Sequence, residues 1–210
     1  HEVVFGEKNE EDASSRRNVS FTYSGGDVKL ICKRNNLHIK QLDAFCRFLI
    51  FLCLEKIRNL LESKSFDAVI ATKFLNAPGS IYEKLFSWKR LESNEEQAFP
   101  DGYEQYFDYI SEKNVYTCVN SSFIQKLCQL NEGEYPKQVF IVGADTDCCV
   151  LTIATALFEN NIRPIVLTNY VDSNGGAESN AAGLLCLKRL IGSNQLVDKI
   201  ITCKEDLLNI

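Results

Sequence analysis

From about residue 54 to its end, the chain alternates stretches of helical apolar periodicity with short runs that are apolar throughout. The periodicity is clearest where Leu54, Ile57, Leu60 and Leu61 fall on one helical face. Helices are predicted over residues 54–63, 80–89, 122–130, 148–160 and 179–191, and strands over residues 66–72, 115–118, 139–142, 164–168 and 199–202. Continuous apolar strands that alternate with helices are typical of a parallel sheet covered on both faces. We therefore predict an α/β fold, a three-layer α/β/α sandwich around a mainly parallel, Rossmann-like sheet of about six strands.

The first part of the chain lacks this regular alternation. Residues 1–18 are polar and charged, which predicts an arm outside the core. Residues 45–54 are nearly all apolar, but they include Arg47 and span only about half the length that a bilayer requires. This stretch therefore predicts buried core rather than a membrane span. We predict an irregular N-terminal extension over residues 1–40 and a single domain over residues 41–210.

Composition indicates a globular protein, because 45% of the 210 residues are hydrophobic and 24% are charged. The 23 Lys and Arg residues are outnumbered by 28 Asp and Glu residues, and the net charge of -5 argues against a nucleic-acid partner. Nine scattered cysteines without CxxC spacing are typical of reduced thiols and predict a cytoplasmic protein. The only histidines are His1 and His38, which leaves few nitrogen ligands for a metal. We predict neither a metal site nor a membrane partner.

The most informative segment runs from Val139 to Ala154, where a buried strand enters a tight turn and a helix begins at two cysteines. The first N–H groups of a helix are unpaired and the helix dipole is positive there, so a thiol at this position ionises more readily. The same N–H groups can stabilise an oxyanion. A cysteine here is therefore a candidate nucleophile for acyl transfer. The alternative is that Cys148 and Cys149 are small apolar residues of a buried turn.

The run from Gly143 to Val150, Gly-x-x-Thr-Asp-x-Cys-Val, closely resembles a motif of the isochorismatase-like cysteine hydrolases. This superfamily includes nicotinamidases, N-carbamoylsarcosine amidases and ureido-acid amidohydrolases. The resemblance implies that Cys149 is the catalytic nucleophile and that Cys148 occupies a variable position. It also implies a non-proline cis peptide bond between Ala144 and Asp145, and an oxyanion hole formed by the backbone N–H groups of Asp145 and Cys149.

Two further catalytic residues are implied by the same resemblance, which covers about residues 54–203. The segment from Lys113 to Thr117 resembles the family's lysine element, and Lys113 would stabilise the thiolate and the later oxyanion. Asp43 corresponds to the family's general base, although the Gln that normally follows it is missing. Asp27 is a poorer rival, because it lies in a predicted turn too far upstream.

The resemblance also bears on metals and cofactors. The nicotinamidase branch holds a metal through histidines that follow its second strand, and residues 71–80 contain none. The resemblance therefore implies a metal-independent cysteine hydrolase without a cofactor. Such an enzyme would cleave a C–N bond of a small amide, carbamoyl or ureido compound through a Cys thioester. Dimers or tetramers are implied as well, and Phe86 and Trp88 are expected to lie in the core or at a subunit contact rather than against the substrate.

Two other functions stay open. One is a vinyl ether hydrolase of the isochorismatase type, which does not depend on a nucleophilic cysteine. The other is a non-catalytic binding or interaction protein on the same scaffold, which the missing Gln after Asp43 makes credible.

Overall fold

The structure, a computed structural model, describes residues 2–7, 52–208 and 210 of the chain. Its six strands are β1 (Glu2–Glu7), β2 (Ile70–Phe74), β3 (Tyr109–Lys113), β4 (Gln138–Ala144), β5 (Arg163–Asp172) and β6 (Leu196–Val197). They form one sheet in the order β3-β2-β1-β4-β5-β6. The pairs β2–β3, β4–β5 and β5–β6 are parallel. The predicted α/β fold with a mainly parallel sheet is confirmed.

Strand β1 holds the middle of the sheet and runs antiparallel to both of its neighbours. Val3 pairs with Ala71 on one side and with Val142 on the other. Residues 2–7 belong to the stretch 1–40 for which an irregular extension was predicted. The sequence Val-Val-Phe has a high strand propensity, and a slot between two strands satisfies its backbone hydrogen bonds on both edges. Residues 8–40, and the predicted boundary at residue 41, lie outside the described residues.

Helices connect the strands. The described helices are α1 (residues 52–62), α2 (Ile81–Phe86), α3 (Asn94–Gln97), α4 (Ser121–Leu130), α5 (Leu151–Glu159) and α6 (Ala177–Leu190). Short 3₁₀ segments occur at Glu104–Tyr106, Ser193–Gln195 and Lys204–Leu207. Side-chain caps fix several starts: Ser80 accepts the N–H of Glu83, and Asn120 accepts the N–H of Phe123. No helix within the described part of the chain is long and apolar enough to cross a membrane.

Two predicted strands are wrong, and both errors have a local cause. The strand predicted at residues 115–118 is a loop, and β3 lies just before it. In β3, buried and exposed positions alternate, and the buried positions carry the polar residues Ser111 and Lys113. A search for continuous apolar runs therefore does not find β3. The strand predicted at residues 199–202 is not formed either, because the N–H of Ile201 donates to the hydroxyl of Tyr170 at 2.9 Å rather than to a neighbouring strand.

The core is densest between β4, β5 and α5. Phe140 and Ile141 on β4, Val166 on β5, and Ile153 and Leu157 on α5 are fully buried. Burial on both faces is what a parallel sheet covered by helices requires. Strands β3, β4 and β5 all run in the same direction, because β2–β3 and β4–β5 are parallel pairs and β1 is antiparallel to both β2 and β4. Their carboxyl ends therefore lie at one edge of the sheet, which is where ligands bind in this class of fold.

Candidate active site

The turn that follows β4 carries the two adjacent cysteines. The Ala144–Asp145 peptide bond is cis, and a π turn (Thr146–Val150) leads from it into α5. The carbonyl of Asp145 accepts the N–H of Cys148 at 3.2 Å and that of Val150 at 3.1 Å. An ordinary α-helix was predicted from residue 148, so the wider turn is a difference from the sequence prediction. It holds Cys149 at the carboxyl edge of the sheet, partly exposed.

A cavity of about 290 Å³ opens against this turn. Both Cys148 and Cys149 line it, together with Ala144, Asp145 and Asn174. Its volume is near the lower limit for small-molecule sites, which run from about 300 to 1,000 Å³. The cavity therefore suits a small compound whose reacting atom would lie beside the thiols.

Aromatic side chains form the opposite wall of the cavity. They come from the end of β2, from α2 and its flank, and from the loop after β3: Phe74, Tyr82, Phe86, Trp88 and Tyr116. Tyr82 lies at the centre of the group, with ring centroids 5.3 Å from Phe74, 5.8 Å from Trp88 and 5.3 Å from Tyr116. Phe86 and Trp88 were expected away from the substrate, but they line the cavity.

Lys113 is the last residue of β3, and only 6% of it is exposed. Its Nζ donates to the carbonyl of Tyr116 at 2.8 Å, and its own carbonyl accepts the N–H of Leu75 at 2.7 Å. Lys113 lines the adjoining cavity rather than the one at Cys149, and the Tyr116 segment lies between the ammonium and that cavity. The structure thus brings Lys113 and Cys149 to the same edge of the sheet.

The third predicted catalytic residue, Asp43, lies outside the described residues, as does its rival Asp27. The strand next to β4 on the side of β2 is β1. The end of β1 at the site edge is Glu2, which pairs with Gly143.

Comparisons with known proteins bear on this arrangement. No protein-family model and no curated protein matches the sequence. Among solved structures, N-carbamoylsarcosine amidase from Thermoplasma acidophilum matches with a TM-score of 0.58 and 16% identity, over 83% of this chain and 91% of that one. Nicotinamidase from Bacillus subtilis matches with 0.54 and 18%, over 86% and 97%. An isochorismatase-like hydrolase from Alkaliphilus metalliredigens matches with 0.54 and 19%, over 65% and 75%.

The chain has the isochorismatase-like hydrolase fold. The resemblance carried by the run from Gly143 to Val150 is confirmed at the level of the fold. Sequence identities of this size show the fold and do not extend to substrate or mechanism.

In this isochorismatase-like fold, a loop after β5 straps the cysteine turn. The hydroxyl of Ser173 donates to Asp147 at 2.6 Å and accepts the N–H of Gly175 at 3.1 Å. The N–H of Asn174 donates to the carboxylate of Asp145 at 2.7 Å. Sequence reasoning missed these partners, although two aspartates in a turn beside a buried strand signal that nearby donors are needed.

The phenols of the cavity are held in their neutral form. Burial is the main cause that raises the pKa of Tyr82, and the neighbouring Tyr116 adds to it. Burial also raises the pKa of Tyr116, and the charges of Cys148, Asp145 and Asp147 raise it further. Both hydroxyls therefore remain protonated at neutral pH and can donate a hydrogen bond to a ligand.

The chemistry of the site does not extend to an evident metal centre. Among the residues that the structure describes, no group of three His, Cys, Asp or Glu side chains is arranged to hold a metal ion. What the described residues provide is thiol chemistry beside an aromatic cavity.

Proposed function

We propose that the chain is a metal-independent cysteine hydrolase that cleaves a C–N bond of a small amide, carbamoyl or ureido compound. The observation that carries the proposal is the position of Cys149, partly exposed in a turn at the carboxyl edge of the sheet and in the wall of a small cavity. The fold shared with an N-carbamoylsarcosine amidase and a nicotinamidase supports this class of chemistry.

In the proposed reaction Asp43 accepts the proton of the Cys149 thiol, and the sulfur attacks the carbonyl carbon of the substrate. The oxyanion is stabilised by the backbone N–H groups of Asp145 and Cys149 and by the charge of Lys113. The C–N bond then breaks, Asp43 returns the proton to the leaving nitrogen, and a thioester remains. Water, deprotonated by Asp43, attacks the thioester. The C–S bond breaks, the acid leaves, and the proton returns to sulfur.

Burial supports the role of Lys113. Only 6% of Lys113 is exposed, so water screens its charge less than that of a surface lysine. Its hydrogen bond to the Tyr116 carbonyl fixes it beside a segment whose side chain lines the Cys149 cavity. Lys113 would thus stabilise the thiolate and the oxyanion by its field.

The decisive experiment compares two adjacent thiols that line the same cavity. Cys149→Ala should lower amide hydrolysis, followed as ammonia release from a panel of small primary amides, by at least about a thousandfold. Cys148→Ala is the matched control and should keep activity within about tenfold. Iodoacetamide should also alkylate Cys149 faster than the exposed Cys203 at pH values well below 8.5. Equal activity of the Cys149→Ala variant and the unmodified protein would eliminate the proposal.

The base assignment has its own test. The resemblance supports Asp43, whereas the sheet register brings Glu2 to Gly143, next to the Ala144–Asp145 peptide bond. Asp43→Asn and Glu2→Gln should be compared for both hydrolysis and the pH dependence of Cys149 alkylation. The proposal expects a large loss for Asp43→Asn alone. A large loss for Glu2→Gln alone would transfer the role to β1.

The same assays separate the two rival functions. A vinyl ether hydrolase would act on an enol ether substrate and would tolerate Cys149→Ala, because no thioester forms. A non-catalytic protein would show neither ammonia release nor preferential alkylation of Cys149. Either result would replace the proposed hydrolase.

We further propose that the protein is cytoplasmic and forms dimers or tetramers. None of the seven cysteines that the structure describes forms a disulfide bond, which suits a reducing compartment. Ile81 and Leu85 on α2 are 56% and 70% exposed, and apolar side chains in this position are typical of subunit contacts. Light scattering of Leu85→Glu beside the unmodified chain tests the assembly: the variant should shift to the monomer.

A further inference from the structure

The charge of the cavity wall distinguishes it from a general apolar pocket. Five aromatic rings line it, and the one charged lining residue among those described is Asp145. No Lys, Arg or His of the described chain contributes to this wall. Aromatic faces carry negative partial charge, so the rings and the Asp145 carboxylate both attract a positively charged ligand.

Neighbouring contacts strengthen this field. The carboxylate of Asp145 is fixed by the N–H of Asn174 at 2.7 Å, and that of Asp147 is fixed by the hydroxyl of Ser173 at 2.6 Å. Burial raises the pKa of Tyr116 most, and the charges of Cys148, Asp145 and Asp147 raise it further. The ammonium of Lys113 donates to the carbonyl of Tyr116 and lines a second cavity, so its field opposes that of the carboxylates without placing a cation in this wall.

From this wall we infer that the substrate carries an alkylammonium group, bound among Tyr82, Trp88 and Tyr116 with Asp145 as its counter-ion. The inference rests on the proposed function, because the amide end of the same compound would lie at Cys149. A compound that carried a carboxylate in place of the ammonium would be repelled by Asp145 and would find no described cation in the wall.

The test uses three substituted acetamides that differ in the charge of the substituent, and the first two of them have the same shape. They are trimethylammonioacetamide, its uncharged carbon analogue 3,3-dimethylbutanamide, and the anionic malonamate. Trp88 is the only tryptophan of the chain and lines the cavity, so its fluorescence reports binding. Titration of the Cys149→Ala variant measures binding without hydrolysis. The cationic amide should bind at least about fivefold more tightly than the carbon analogue, and malonamate should bind most weakly.

One variant locates the preference for the cation. Asp145→Asn keeps the backbone N–H but removes the charge, and it should reduce the ratio of the two dissociation constants, carbon analogue over cationic amide, at least about threefold. If Cys149→Ala does not fold, the unmodified protein is titrated instead with two methyl ketones, in which a methyl group replaces the amide nitrogen of the cationic amide and of its carbon analogue. These ketones contain no C–N bond that the protein could hydrolyse at the carbonyl.

Equal dissociation constants for the cation and its carbon analogue, or tighter binding of malonamate, would overturn the inference. Its failure is distinct from that of the proposed function. Tight binding of the cation to a protein that hydrolyses no amide would reject the hydrolase alone, whereas hydrolysis without charge preference would reject the alkylammonium substrate alone.

Discussion

Gly183 lies within α6 at the point where this helix touches the turn that holds Cys149. It is buried, and a Cβ atom built on it would lie 2.7 Å from the backbone nitrogen of Asp147 and 2.8 Å from the carbonyl carbon of Thr146. Ordinary van der Waals contact begins at 3.4 Å. An alanine here must therefore push the helix and the turn apart by about 0.7 Å.

Two effects of opposite sign act on Gly183→Ala. Alanine stabilises a helix interior by about 1 kcal/mol relative to glycine. Overpacking costs about 1–3 kcal/mol, and the upper part of that range applies because every close atom belongs to the backbone. We expect a net loss of about 1–2 kcal/mol. For a chain of this size that lowers the melting temperature by about 2–8 °C.

The assay combines thermal unfolding with alkylation of Cys149. Because Gly183 contacts the turn itself, the alkylation rate of Cys149 should change relative to that of the exposed Cys203. Ala182→Gly is the control, since Ala182 is exposed on the same helix. It should lose about 1 kcal/mol and leave alkylation unaltered. A Gly183→Ala variant that is more stable than the unmodified chain would refute the reasoning, because helix propensity would then act without opposition.

Three other outcomes are expected. Ser173→Ala, which removes the 2.6 Å hydrogen bond to Asp147, should lower the free energy of unfolding in urea by about 1.5–3 kcal/mol. Lys113→Met should reduce amide hydrolysis about a hundredfold or more, while the half-buried Lys73 tolerates the same change; equal losses would remove the specific role of Lys113. The pKa of Asp206 is lowered to about 2 by the N–H and hydroxyl of Thr202, so its stabilising effect is present above the unfolded pKa near 4 and is lost as pH falls. Asp206→Asn should therefore be less stable than the unmodified chain at pH 7, and the difference should shrink as pH falls through about 2; a difference that keeps its full size at pH 2 would contradict this cause.

The parts of the fold that sequence reasoning predicts are those that local pattern determines. The apolar runs of β4 and β5 are buried on both faces, so each strand is visible without knowledge of its neighbours. Cys149 was predictable for a similar reason, because the strand, the turn and the thiol lie within one short segment. The proposed general base, Asp43, is different, since it belongs to another part of the chain.

The parts that were missed depend on distant residues. β3 lies at the edge of the sheet with an exposed Tyr109 and a buried Lys113, a pattern that resembles a polar loop. Strand β1 lies between β2 and β4 because each of them has a backbone edge that β1 can pair with. The sequence of residues 2–7 favours a strand but does not indicate which strands it pairs with. The aromatic wall of the cavity could not be predicted for the same reason. Phe74 and Trp88 suit a core as well as a ligand site, and only the position of the surrounding elements shows that they line a cavity.

The direction of β1 also decides where material joined to this fold would emerge. Glu2 lies opposite Gly143, so whatever precedes it leaves the sheet beside the entrance to the Cys149 cavity. The carbonyl of Ile210 accepts a hydrogen bond from Arg163 at 3.2 Å, at the start of β5 on the opposite edge. A purification handle fused ahead of Glu2 would crowd the entrance, whereas one fused after Ile210 would leave it open to solvent.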